Sequence, residues 1–137
     1  MQISALVRNS LGSHDVSVTT AGTSQSLTVP GKATGLGSAV NGGEFLMLAL
    51  ATCFCNDIYR EAARLKIPVE SVEVEAQADF DGIGLAATNI TYRARVVSPA
   101  TDAEIDALLE QTDAVAEVHT TLRAGATVVR RSWHGQE

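Results

Sequence analysis

With 137 residues, 45% of them apolar and 19% charged, the chain is long enough to bury a core without disulfides or structural metal, and residues 1–137 are expected to form a single domain. A formal net charge of -6 works against nucleic acid and anionic membrane as partners, since both demand clustered Lys and Arg. No segment approaches the roughly 20 apolar residues of a membrane span, and Met1 to Arg8 lack the pattern of a secretory signal. The expected compartment is therefore the cytoplasm, where two cysteines stay reduced at rest.

Residues 2–8 and 14–20 alternate apolar and polar around Asn9-Ser10-Leu11-Gly12-Ser13, which predicts a hairpin with Ile3, Ala5, Val7, Val16 and Val18 on one face. Leu27 and Val29 suggest a third short strand ended by Pro30. The glycine-rich stretch from Gly31 to Gly43 follows, too loose for regular structure. From Glu44 to about Lys66 the residues favour the longest helix of the chain, closed by Ile67-Pro68 because the residue before proline avoids the helical region. Its first half, Phe45 to Cys55, is apolar all round and so has to be covered all round. One small sheet covers one face. A second copy of the chain is the economical supplier of the rest, which predicts a homodimer.

Alternation returns after Pro68, with Val72, Val74, Ala76, Ala78 and Phe80 on one face and Glu73, Glu75, Gln77 and Asp79 on the other. A turn at Asp81-Gly82-Ile83-Gly84 leads to a strand with Ile90, Tyr92, Ala94 and Val96 inward, so that its outward Arg93 and Arg95 can pair with the acidic face across the hairpin. Thr101 and Glu104 form a capping box before a helix carrying Ile105, Leu108 and Leu109. Ala114 to about Leu122 continues at helical spacing and stops near Gly125, and Ala126 to Trp133 reads as a last strand. The class is α+β.

Few residues offer chemistry. Gly31-Lys32-Ala33 lacks the hydroxyl residue of a phosphate loop, and Gly35-Leu36-Gly37 lacks the third glycine of a dinucleotide loop, so no nucleotide cofactor is expected. Cys53-Phe54-Cys55 is one residue short of zinc-ligand spacing, and His14, His119 and His134 are scattered, so no metal is expected either. No G-x-S-x-G elbow supports a hydrolase. The cysteines remain. On a regular helix Cys53 and Cys55 point about 200° apart and cannot join, so they have different environments. Buried among Leu and Phe such thiols are inert. Reactivity demands a neighbour that favours the thiolate, and the helix offers none within a turn of Cys53 except Asn56, so an activator has to come from elsewhere.

The run from Asn41-Gly42-Gly43-Glu44-Phe45 through Ala51-Thr52-Cys53-Phe54 resembles the signature of the OsmC/Ohr family, osmotically induced protein C and organic hydroperoxide resistance. The order of elements is similar along nearly the whole chain. The resemblance implies an intertwined α+β homodimer, its antiparallel β-meander and hairpin packed on a long central helix. It also implies reduction of organic hydroperoxides by a peroxidatic cysteine, which falls on Cys53, assisted by an acidic residue opening the same helix, which falls on Glu44. An arginine near the first hairpin completes the set, and Arg8 is the nearest candidate. Nine residues put Glu44 about 13 Å along the axis from Cys53 and on the opposite face, so Glu44 would serve the cysteine of the partner. Without that duty Glu44 is favourable charge at a helix N-terminus, and Arg8 an exposed strand-end arginine.

The chain departs from the family where a second, resolving cysteine begins a Cys-Pro-Val stretch, because the matching run here is Ala116-Glu117-Val118-His119. A sulfenate on Cys53 would then need an external thiol reductant, or Cys55 after local unwinding. His119 is expected to be a capped or solvated helical histidine, or to line an altered pocket. The sequence therefore points to a thiol peroxidase acting on small apolar hydroperoxides, with a non-enzymatic dimer binding a small apolar or lipid-like ligand as the competing reading.

Overall fold

A computed structural model describes residues 1–133, which form two compact units divided between Leu46 and Met47. The first holds an antiparallel meander in the order β1 (Ile3–Ser10), β2 (Ser13–Thr20) and β3 (Thr23–Leu27). Tight turns join the strands because Gly12 and Gly22 take positive φ at 79° and 84°, where a side chain costs energy. The expected hairpin forms with a tighter turn, its strands paired as far as Ser10 opposite Ser13, and Ala5 stands opposite Val18 and Val7 opposite Val16. The glycine-rich stretch is more ordered than expected. Gly31 bridges to Ser38, and the Asn9 side chain grips Gly37 from both sides, accepting from its N–H at 2.9 Å and donating to its carbonyl at 3.3 Å.

Helix α1 (Gly42–Leu65) begins two residues before its expected start, with Asn41 and Glu44 forming a reciprocal cap of 2.8 and 3.0 Å. It closes where Lys66 takes a left-handed φ of 57° and the Ile67 N–H bonds the Ala62 carbonyl at 2.8 Å. In the second unit β4 (Ser71–Asp79) and β5 (Thr88–Val97) pair as foreseen, setting Glu75 against Arg93 and Glu73 against Arg95. Helix α2 (Asp102–Val115) carries the Thr101 capping box, and α3 (Glu117–Ala124) ends on left-handed Gly125. The break between them falls at Ala116, so the expected segment from Ala114 starts three residues late.

The core gathers Phe54, Ile58 and Ala62 of α1 with Leu108 and Ala116, against Val72, Val74, Tyr92, Ala94 and Val96 of the hairpin. The prediction that α1 is covered all round is met on one side within this chain. Leu50, Phe54, Asp57, Ile58, Glu61 and Ala62 are buried, while Leu48 and Tyr59 remain 56% and 44% exposed. The expected last strand does not form: residues 126–133 belong to no β-ladder, and Val128 is 94% exposed. Alternation prepares a strand, but a ladder forms only where the segment meets an edge, which local pattern does not decide.

Candidate functional site

Cys53 lies on α1, half-buried, at the point where α3 begins. Its thiol donates toward Asp57 Oδ2 at 3.6 Å, one helical turn on, and toward Glu117 Oε2 at 3.9 Å from the first residue of α3. Arg60 grips the outer oxygens of the same carboxylates, bonding Asp57 Oδ1 at 3.1 Å and Glu117 Oε1 at 3.3 Å. The inner oxygens are thereby turned to the sulfur. Because Ala116 at the N-cap of α3 has no side-chain acceptor, no cap competes for the first N–H groups of that helix, and the Val118 N–H is directed at Cys53.

These contacts set opposing electrostatics. Burial and then the charges of Asp57 and Glu117 push the Cys53 thiol above its ordinary value, while the Val118 N–H acts the other way by stabilising the thiolate. Asp57 is 6% exposed, and burial together with the Glu117 charge raises its carboxyl against the lowering influence of Arg60. Cys53, Asp57 and Glu117 place one ligand atom each within 4.8 Å of one another, close enough to share an ion. Arg60, however, already brings a fixed positive charge to both carboxylates.

A second polar cluster lies beneath the hairpin. The Tyr92 hydroxyl donates to Asp113 of α2, which Arg123 of α3 holds with a two-pronged bond of 2.9 and 3.1 Å. Tyr92 also stacks with Phe54 and His119 at centroid distances of 4.6 Å each, and Phe54 with His119 at 5.4 Å. His119 is 3% exposed with neither ring nitrogen hydrogen-bonded. The expectation of a capped or solvated histidine is thus overturned, because α3 turns this residue into the aromatic core.

Glu44 and Arg8 belong to the first unit and Cys53 to the second, so neither unit gathers the three. The Glu44 carboxylate is engaged by the Asn41 N–H, and Arg8 is exposed on β1 opposite Asp15. Cys55 is free and points away from the Cys53 cluster, with no bond to it. Sequence reasoning missed Asp57, Arg60 and Glu117. The first two were open to it, since Cys53, Asp57 and Arg60 follow at i+4 and i+3, whereas Glu117 arrives from 64 residues away.

The family model for OsmC-like protein matches residues 35–130. The chain belongs to the OsmC-like family. Solved structures of similar fold include an OsmC-like protein from Mycoplasma pneumoniae, with TM-score 0.60, 18% identity, and coverage of 90% of this chain and 87% of that one. An organic hydroperoxide resistance protein from Elizabethkingia anophelis, with thiocyanate bound, gives TM-score 0.61 and 17% identity over 91% and 90%. An organic hydroperoxide resistance protein OsmC from Legionella pneumophila gives 0.59 and 19% over 90% of each chain. A search of curated proteins finds no match. At these identities the likeness is one of fold, and it agrees with the mixed α+β architecture. No helix among the described residues of this OsmC-like protein is long and apolar enough to cross a membrane.

Proposed function

We propose that this OsmC-like protein is a cytoplasmic thiol-dependent peroxidase that reduces organic hydroperoxides through Cys53 and so defends against oxidative stress. The observation that carries the reading is a free, half-buried thiol held between an acidic proton acceptor and the uncapped N-terminus of α3. Family membership supports it, as do relatives described as organic hydroperoxide resistance proteins. Attack of the sulfur on the terminal peroxide oxygen forms an S–O bond, breaks the O–O bond and releases an alcohol, leaving a sulfenic acid. Ala116 stands fully buried where the family carries its second cysteine, so an external thiol regenerates Cys53.

The working form is a homodimer. Leu48, Thr52 and Tyr59 make an exposed stripe at helical spacing along α1, a face suited to a second copy. In that assembly Glu44 and Arg8 serve the partner's cysteine. Size-exclusion chromatography with light scattering should give twice the monomer mass at micromolar concentration; a stable monomer contradicts the assembly.

One observation favours a second reading. Burial, with the charges of Asp57 and Glu117, raises the thiol above its ordinary value, which suits a non-enzymatic dimer whose Cys53 merely lines a small apolar or lipid-like ligand site. Reduced protein mixed with cumene hydroperoxide separates the two. The peroxidase consumes peroxide and gains one oxygen at Cys53, Cys53→Ser does neither, and Cys55→Ser loses any intrachain disulfide. An unmodified Cys53 in excess peroxide leaves the ligand-binding reading.

A further inference from the structure

The peroxidase reading leaves open where the thiol proton goes and what protonates the leaving oxygen. We infer that Asp57 does both, taking the proton from Cys53 and delivering it to the departing alkoxide, while the N-terminus of α3 receives the thiolate. The inference rests on that reading and assigns the proton path within it.

Asp57 Oδ2 is the acceptor nearest the sulfur, at 3.6 Å, and its side chain is buried, so bulk water does not compete for the proton. Its other oxygen is fixed by Arg60, which makes Arg60 a positioning residue, aiming Oδ2 without touching the sulfur. Glu117 also reaches the sulfur at 3.9 Å, but its side chain is 69% exposed, and its own backbone N–H holds its carboxyl below the ordinary value. That makes it the weaker base. Its negative charge, facing Asp57 from α3 while Arg60 faces it from α1, strengthens Asp57 as an acceptor. The Val118 N–H then lies ready for the sulfur once the proton has left.

The step balances. The S–H proton moves to Asp57 Oδ2, the sulfur lone pair forms the S–O bond to the terminal peroxide oxygen, and the O–O bond breaks. The protonated Asp57 then gives its proton to the alkoxide. Sulfur is oxidised by two electrons, the peroxide is reduced by two, and Asp57 returns to its starting charge with sulfenic acid and alcohol as products.

The test is the pH profile of single-turnover oxidation by cumene hydroperoxide, with the sulfenic acid trapped by dimedone, over roughly pH 4.5 to 9. Wild type should slow on the acid side with a midpoint above the ordinary aspartate value. In Asp57→Asn the break at that midpoint is replaced by a rate that climbs with the thiolate fraction toward alkaline pH, and the neutral rate falls about 100-fold. Alkylation of Cys53 by iodoacetamide should instead quicken, because a negative neighbour of the thiolate has gone; merely damaged packing would not move the two rates in opposite directions. An Asp57→Asn profile that keeps the acid limb at the wild-type midpoint overturns the inference.

Should Asp57→Asn not fold, Arg60→Gln carries the test. Removing the guanidinium raises the Asp57 carboxyl further, so the acid limb must move to higher pH, and an unmoved limb refutes the inference. Wild type that reacts with no acid limb refutes the proton path alone. Wild type that forms no sulfenic acid at any pH refutes the peroxidase reading and this path with it.

Discussion

Asp57 and Asp113 each accept from an acidic hydrogen, the Cys53 thiol in one case and the Tyr92 hydroxyl in the other, and each is paired with an arginine. Arg123 gives both prongs of its guanidinium to Asp113, and those bonds, with that of Tyr92, hold the carboxyl below the ordinary value. Arg60 divides its guanidinium among Asp57, Glu61 and Glu117, while burial and the Glu117 charge lift Asp57 above it. A fully compensated carboxylate is a structural clamp. An incompletely compensated one is poised to take a proton.

The two respond to acid with opposite signs. Asp113 binds its proton more weakly in the folded state than in the unfolded chain, so its contribution is present above the ordinary value of 3.8 and is lost as pH falls through the folded one. Asp57 binds its proton more tightly when folded, so it weakens the fold at neutral pH and acid relieves that weakness.

His119, beside the clamp, should give the largest response to substitution. Its ring nitrogens are buried without partners, so His119→Phe keeps the ring contacts with Phe54 and Tyr92 and removes the unmet polar atoms. An increase of about 1–3 kcal/mol in unfolding free energy is expected from denaturant titration. Burial lowers the His119 value, so wild type should lose stability as pH falls below 6.5, where the unfolded chain takes up the proton first, and His119→Phe should lack that loss. A variant no more stable than wild type would mean that the nitrogens find partners in solution. Tyr92→Phe should cost less, about 1 kcal/mol, because Asp113 loses one donor and keeps Arg123. Equal thermal midpoints for Tyr92→Phe and wild type would show that Arg123 alone suffices as the clamp.

Much of the scaffold was legible in the chain. The charge ladder of Glu73 with Arg95 and Glu75 with Arg93 follows from period-two alternation, and the Thr101–Glu104 cap from four consecutive residues. Cys53 was legible as the place to look, through its position on the apolar helix and the resemblance of the surrounding run. Its chemical surroundings were less so. Asn56 looked like the polar neighbour, yet it points outward, and Asp57, at i+4, is the residue that reaches the thiol.

The sequence determined the three helices, the two hairpins and the Thr101 cap, because helical and strand periodicity and turn chemistry act between residues a few positions apart. Tertiary packing decided that α3 starts against Cys53, that His119 turns into the core and that residues 126–133 join no ladder. Each of those depends on which surfaces meet across long stretches of chain, and local pattern leaves that choice open.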